Sequence, residues 1–379
     1  MKKNTCPRCN GNLKRHSKRK AKIKTVNGEI ALVRSYNRCS CGYVEIPLDN
    51  VLGITELPYR MTKKCMVEVA YFGQNQPSFR EGSQMIEKVM DLEINKETVR
   101  EVTEHIGRAI YEEDTQRAKQ SLEYMTMPKA PKTPKKMTLY IMTDGAAVNT
   151  RAEDENGSTW RENKTVMVFT DKDMIKRKDG SHIITRKEYA AYIGRAEEFR
   201  KYVWDLAVRN GYGQIERVVL IADGATWIRN MCNELFPDAV QILDLYHLKE
   251  NVYSYAKHMF KQDASKYVPW SEALNAKLEK GYVDEVLSAL PKSEKLPANV
   301  VNLRTYLENN RQKMNYPKYK KLGFFVGSGA IESANKVILQ RRLKQSGMRW
   351  SVLGAQYVLA LRCKVESGLW DKVAKRFCA

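Results

Sequence analysis

No apolar run in this 379-residue chain approaches the ~18–20 residues needed to cross a bilayer. The Lys-rich N-terminus has no apolar segment behind it, so it lacks the pattern of a secretory signal. No internal repeat is visible. Acidic charge is also short: 44 Asp and Glu stand against 65 Lys and Arg, a formal net charge of +21. Such an imbalance favours a polyanionic partner, and without membrane-seeking segments that partner is nucleic acid. The expected location is cytoplasmic and nucleoid-associated, with no membrane contact.

A chain without a secretion signal has little use for disulfides. Its clustered cysteines therefore read as metal ligands. Four of the eight cysteines fall in two close pairs, Cys6-Pro7-Arg8-Cys9 and Cys39-Ser40-Cys41. Between them lie β-like stretches at 21–26 and 29–36, joined at Asn27-Gly28, a strong hairpin signal. Two thiolate pairs around a hairpin predict a zinc-ribbon-like module at 1–50, with structural Zn²⁺ on Cys6, Cys9, Cys39 and Cys41. So short a segment cannot fold on its own core, and metal binding would supply the difference. The second pair has one intervening residue where two are usual, and His16 is a substitute ligand. Four free thiols in a basic tail is the alternative.

Residues 51–127 read as a helical, helix-turn-helix-like DNA-binding region. Apolar residues recur at three- and four-residue spacings over 62–72, 79–90 and 95–111, with Ser78 and Asn95 placed as caps. An ordinary helical bundle would show the same spacing. Three prolines among lysines make 128–136 a linker.

From residue 137 the pattern becomes α/β. Strands are expected at 137–143, 165–170 and 181–185, with a polar turn at 176–180 before the last. A helix at 197–210, a strand at 217–222, a helix at 227–236, a strand at 240–243 and a helix at 248–260 follow. Three strands and then helix–strand–helix–strand–helix is the order of a ribonuclease-H-like core. Its first part is placed at 137–260, an all-α insertion at 261–325, and the core's C-terminal helices at 326–379. Glu332 is expected to open a long helix through Lys344.

Two apolar runs end alike, in Thr143-Asp144-Gly145-Ala146 and Ala222-Asp223-Gly224-Ala225; a third acid stands in Gly329-Ala330-Ile331-Glu332. Singly, an acid at a strand end is more often a helix cap or a turn former. If Asp144, Asp223 and Glu332 converge, their charges need cations: two charges 4 Å apart repel by about 4 kcal/mol at an effective dielectric of 20. Two Mg²⁺ ions suit hard oxygen ligands and, ~3.5–4 Å apart, can promote phosphoryl transfer on DNA. Asp244 and His247, three apart after the strand at 240–243, can share one face of a helical turn and touch the scissile phosphate or orient a water. A helix N-cap and a packing histidine are their alternatives.

Together Asp144, Asp223, Asp244-x2-His247 and Glu332, with a helical insertion before the glutamate, resemble the DDE transposases of the Mutator-like superfamily, which carries a Cys/Asp-x2-His signature. More narrowly, the chain resembles bacterial insertion-sequence transposases of the Kra and Lre groups. The resemblance runs through Thr143–Arg151, Trp160-Arg-Glu-Asn-Lys164, Ala222–Trp227, Gly327–Ser333, Arg342–Trp350 and Pro47-Leu-Asp49 behind the cysteine module. It implies a ribonuclease-H-like fold, two Mg²⁺ or Mn²⁺ ions, and double-stranded DNA partners: the inverted-repeat ends of the element and a target. It also implies a homodimer or higher homo-oligomer. Arg151, Lys164, Lys336, Arg341, Arg342, Lys344 and Arg349 are candidate phosphate contacts, and Trp350 a candidate base-stacking residue. Exposed solvated charges and a core tryptophan are the alternatives. The same features admit a structure-specific nuclease, or a domesticated or inactive DNA-binding protein.

Overall fold

The computed structural model describes residues 5–53, 59–125, 127, 131, 133–178, 182–293, 295–297, 299–327 and 329–378. The chain divides into two compact units, one of residues 1–111 with 353–379 and the other of residues 112–352. The sequence reading had grouped 326–379 with the core. The division instead falls at 352/353, because the final helices contribute Ala360, Leu361 and Val373 to the apolar cluster of the first unit.

In the first unit, β1 (Lys14–Thr25) and β2 (Gly28–Arg38) form an antiparallel hairpin, and β3 (Val44–Glu45) pairs with the far end of β2. Thr25 pairs with Gly28, so the turn residues are Val26 and Asn27, one step earlier than the Asn-Gly signal suggests. Gly28 opens β2 at φ +97, a conformation costly for any residue with a Cβ. Buried Arg34 on β2 is ion-paired to Asp49, which lies on the short helix Pro47–Val51.

Three helices follow. Lys63–Asn75 is capped by Thr62 and Phe79–Met90 by Ser78, whose hydroxyl accepts from the Glu81 N–H at 3.1 Å. Asp91, at φ 52, ends the second helix in the left-handed region, and Asn95 caps the third at the Thr98 N–H, 2.8 Å away. Polar caps at both starts and a left-handed stop between them explain why the chain turns here rather than running on. The third helix, Lys96–Glu123, is longer than the apolar pattern indicated. Val69, Ile86, Val99, Val102 and Ile106 fill the space between the three. Gly73 admits the close approach, since a Cβ there would lie 2.0 Å from Thr103 Oγ1.

The second unit is built on a five-stranded sheet of order β10-β9-β4-β5-β8. Its strands are β4 (Lys135–Asn149), β5 (Trp160–Thr170), β8 (Glu188–Ile193), β9 (Ile215–Ala222) and β10 (Val240–Leu243). The neighbours β4–β5 and β5–β8 are antiparallel, whereas β4–β9 and β9–β10 are parallel. Thus β5 alone runs against the other four. Between β5 and β8, β6 (Met174–Lys176) and β7 (His182–Ile184) make a separate two-stranded hairpin.

That hairpin corrects the sequence reading. The third sheet strand is β8, not 181–185. The alternating Glu188-Tyr189-Ala190-Ala191-Tyr192-Ile193 buries Tyr189, Ala191 and Ile193 on one face, the period-2 signature of a half-buried strand. Residue 181, parts of the polar turn and several linker residues of 128–136 lie outside the described residues, and Lys135-Lys136 already belong to β4.

Ala196–Arg209, Thr226–Leu235 and Leu245–Met259 follow β8, β9 and β10 respectively. Phe199, Val203, Trp204 and Leu206 of the first of these are buried, as are Leu139, Ile141 and Val168 of the sheet. Between 261 and 325 the described residues contain only helical elements: Ala264–Glu279, Val283–Ala289, Leu303–Asn310, Arg311–Lys313 and Tyr316–Lys321. Helical backbone then runs from Gly329 to Leu343, with a π-helical turn at Lys336–Gln340. No helix among the described residues is long and apolar enough to cross a membrane.

Candidate metal centres

Pairing in the second unit determines where the acids fall. Met142 of β4 pairs with Ile221 of β9, and Leu243 of β10 with Ala222 of β9. Extending each strand by the same steps brings Asp144, Asp223 and Asp244 level at one rim of three adjacent parallel strands, whose spacing is about 4.8 Å. The Asp244 N–H donates to the Ala222 carbonyl at 2.8 Å, which holds β10 to β9 at that rim. Asp144 does not end its strand, as the sequence suggested. β4 runs on to Asn149 against β5, and only its pairing with β9 stops before the acid.

Each carboxylate is held by its own backbone. Asp144 Oδ1 accepts from the Gly145 N–H at 2.8 Å and Asp223 Oδ1 from the Ala225 N–H at 2.8 Å. Fully buried Asp244 caps Leu245–Met259, accepting from the N–H groups of Tyr246 and His247. The same carboxylate binds His247 Nδ1 at 2.5 Å. Cap and histidine partner, separate possibilities in the sequence, are one arrangement.

Glu332 approaches from the helical run Gly329–Asn335. One ligand atom each of Asp244, His247 and Glu332 lie within 4.8 Å of one another. The tightest group therefore contains Asp244 and His247 rather than all three acids of the expected triad. Asp144 and Asp223 join through charge: both act on His247, and they repel each other.

Burial pushes the Asp144 carboxyl above its ordinary range and repulsion from Asp223 adds to this, while the Gly145 N–H, the His247 charge and the Asn335 amide oppose it. His247 is raised to about 9, first by its hydrogen bond to Asp244; burial opposes that, and the charges of Asp144 and Asp223 reinforce it. The direction of the shift favours the imidazolium.

Several positioning residues carry no visible signal in the sequence. The Asn335 amide donates to Asp144 Oδ2 at 2.6 Å, three residues beyond Glu332 and so on the same face of its helix. From the insertion, Tyr306 donates to the Asp223 carbonyl at 2.9 Å and Tyr316 to the Leu243 carbonyl at 3.0 Å. The helical insertion thereby pins the ends of β9 and β10. Gly224 fits because it lacks a Cβ: at φ +88, such an atom would lie 2.9 Å from both Asn310 Nδ2 and Leu243 Cδ1.

This donor set suits a hard divalent cation. Asp244, His247 and Glu332 could hold a metal ion, and the repulsion between Asp144 and Asp223 is what a nearby cation would relieve.

The candidate DNA contacts divide by burial. Arg151, Lys336, Arg341, Lys344 and Arg349 are exposed. Lys164, Arg342 and Trp350 are buried, so the expectation that they reach DNA is not met by their placement. Lys164 Nζ is held by Glu162 at 2.6 Å and the Gly194 carbonyl at 2.8 Å. The Arg342 guanidinium lies over the Trp350 ring at 4.9 Å. The Trp350 backbone is bound to that of Asn149 and Arg151, where β4 leaves the sheet.

In the first unit the four cysteines converge. Cys6 Sγ lies 3.6 Å from Cys41 Sγ, and Cys9 Sγ lies 3.4 Å from Cys39 Sγ. All four sulfurs are within 4.8 Å of one another. A tetrahedral ZnS₄ site with bonds of about 2.3 Å has S···S edges of about 3.8 Å, so the cluster fits zinc. The short second knuckle closes because the Cys39 N–H donates to the Tyr43 carbonyl at 2.9 Å, and the Gly42 N–H returns to the Cys39 carbonyl. The Cys41 backbone N–H is the main reason the Cys39 thiol is lowered to about 6, toward the thiolate that a metal requires. Gly11 lets the knuckles meet: a Cβ there would stand 3.2 Å from Cys9 Sγ. His16 packs edge-on against Tyr36 and is outside the cluster.

No curated protein matches the chain. Residues 8–376 match the family described as Uncharacterised protein family (UPF0236), and the chain belongs to that family.

Proposed function

We propose that the chain is a DDE-type DNA transposase, which binds the ends of its element and cuts and joins DNA strands by metal-assisted phosphoryl transfer. One observation carries the reading: Asp144 on β4 lies at the same sheet rim as Asp223 and Asp244, each one residue past the paired ends of β9 and β10, and His247 and Glu332 lie beside Asp244. A mixed sheet numbered in chain order 5-4-1-2-3, with only its second strand reversed, supports a ribonuclease-H-like core. So does an all-helical stretch before the last acid. The net charge of +21 supports a DNA substrate, and the zinc-compatible cysteine cluster supports a zinc-ribbon module beside a helix-turn-helix-like region. The resemblance to insertion-sequence transposases adds strand transfer, action at the nucleoid, and a homodimer or higher oligomer that joins two ends.

In this reading Asp144, Asp223 and Glu332 would hold two Mg²⁺ or Mn²⁺ ions. Such ions activate the attacking oxygen and stabilise the leaving oxygen of a phosphodiester. Asp244 fixes the ring of His247 through Nδ1, and the imidazolium offsets negative charge gathering on phosphoryl oxygens. Asn335 keeps the Asp144 carboxylate turned toward the site. Tyr306 and Tyr316 hold the strand ends against movement.

The test is a nicking and joining assay on DNA carrying the element's ends. Wild type is expected to react only with Mg²⁺ or Mn²⁺, and Asp144→Asn, Asp223→Asn and Glu332→Gln are expected to abolish product while still binding DNA. Normal cleavage by these variants would refute the assignment. Binding without any cutting by wild type would leave a DNA-binding protein instead.

A further inference from the structure

In the first unit, strand β1 carries seven cations between Lys14 and Lys24 and no acid, while its partner β2 offers one acid, Glu29. Strand pairing decides which face each cation takes, because side chains alternate and directly paired residues share a side. Ala21 and Ile23 are buried, so they mark the side of the hairpin turned toward the protein. Arg19 belongs to that side and lies over the ring of its neighbour Tyr36, 3.8 Å away. Lys18, Lys20 and Lys22 alternate with these residues and stand on the other side, all three exposed.

Nothing across the hairpin neutralises this row. The residues paired with Lys18, Lys20 and Lys22 are Ser35, Val33 and Ala31, short and uncharged. Lys18 and Lys20 have no ion-pair partner among the described residues. Lys22 is paired to Glu29 at 2.7 Å, but its side chain is 77 % exposed, and so open a pair holds the ammonium weakly. The strand beneath the row is fixed. The Lys24 N–H donates to the Arg60 carbonyl at 2.9 Å and the Thr62 N–H to the Lys24 carbonyl at 3.0 Å, which ties the end of β1 to the chain before the helix Lys63–Asn75. The Lys24 ammonium is itself used inside the unit, on the Glu93 carbonyl at 2.9 Å. Buried Arg34, paired to Asp49, holds β2 from the inner side.

Alternate residues of an antiparallel strand are about 6.8 Å apart, so each of the three lysines can take a phosphate of its own. A two-stranded ribbon is narrow enough for the ~12 Å major groove of B-form DNA, whereas the deep, narrow major groove of an RNA duplex does not admit it. The outer face has no aromatic or long apolar side chain to enter a lipid surface, as a membrane-bound amphipathic segment needs. We propose that the outer face of the β1–β2 hairpin docks on duplex DNA, with Lys18, Lys20 and Lys22 each neutralising one backbone phosphate. Such contacts position the protein and are independent of base sequence. The inference rests on the DNA substrate of the reading above, adds a contact surface on the unit that does not carry the acids, and does not require the core to cut.

The experiment measures binding of the full chain to a fluorescently labelled duplex of arbitrary sequence, without divalent metal, across ~50–200 mM salt. Each lost phosphate contact reduces the slope of log K against log salt by about 0.9. Lys18→Gln with Lys20→Gln is expected to reduce the slope by about 2, and Lys22→Gln on top of these by about 1 more. Lys18→Arg with Lys20→Arg keeps both charges and is expected to keep the slope. Lys372→Gln with Lys375→Gln removes two exposed charges from the last helix of the same unit and is expected to leave the slope unaltered. A wild-type slope in Lys18→Gln with Lys20→Gln overturns the proposal, as does an equal fall in Lys372→Gln with Lys375→Gln, or wild type that binds no duplex. Binding of an RNA duplex as tight as that of DNA, with the same fall in slope, overturns the assignment to DNA. Predicted slopes in a protein that never cuts leave the docking surface standing and refute the transposase; cutting with unaltered slopes does the reverse.

Discussion

Removing zinc from the cysteine cluster should unfold both knuckles, and the structure gives the scale of the effect. Beneath them, among the described residues, lie only Cys6, Leu13 and Cys39 as buried apolar side chains, with Tyr43 half-buried against them. Leu13 and Tyr43 are the large side chains of that set, and their burial is worth about 3–6 kcal/mol, at about 1.5–3 kcal/mol per large side chain. Ordering the roughly fourteen knuckle residues costs about 14–21 kcal/mol at about 1–1.5 kcal/mol each. Structural zinc contributes about 10–16 kcal/mol in comparable small modules, which closes the difference. Cys6→Ser, or a chelator on wild type, is therefore expected to release one zinc per chain and to open the basic stretch from Arg8 to Lys24 to trypsin. Metal analysis together with a timed digest reads both. The reasoning fails if the purified protein holds far less than one zinc per chain, or if the metal-free knuckles resist trypsin as well as the loaded ones.

Other expectations follow from single contacts. Gly224→Ala forces a Cβ into a left-handed position and to within 2.9 Å of Asn310 and Leu243, so a loss of about 2–4 kcal/mol is expected in urea unfolding. Tyr306→Phe removes the hydrogen bond to the Asp223 carbonyl and should cost about 1 kcal/mol, with a larger fractional loss of strand cleavage than of DNA affinity in parallel assays. Asp49→Ala leaves Arg34 buried without its carboxylate and should destabilise the first unit by about 3–5 kcal/mol; a thermal melt near that of wild type would contradict it. Ser78→Ala deletes a helix cap at 3.1 Å and should cost about 1 kcal/mol by the same measurement.

Local pattern was enough for much of this molecule. The paired cysteines and the turn between β-like stretches located the hairpin. Ser78 and Asn95 marked two helix starts that the structure places at the next residue. The apolar runs before Asp144, Asp223 and Asp244 located three strands of the sheet. Where the pattern misled, the competing signal was also local. His182-Ile183-Ile184 has the apolar character of a strand and forms one, but its partner is Met174–Lys176 rather than the main sheet. Lys164 and Arg342 read as surface cations because charge is the only thing a sequence displays. A glutamate and a carbonyl at one, and a tryptophan ring at the other, hold them inside the fold.

The sequence by itself determined which residues could do chemistry and on which kind of element each would sit, because helix period, strand alternation and turn residues are properties of near neighbours. Only the tertiary structure decided which of them meet. Asp144 and Asp223 come level through the parallel pairing of β4 with β9, and Asn335 reaches Asp144 across 191 positions of chain. The carbonyls of Asp223 and Leu243 are held by tyrosines from a helical insertion more than seventy positions away. Contacts over such separations depend on how the whole sheet and its covering helices pack, and packing leaves no period in the sequence.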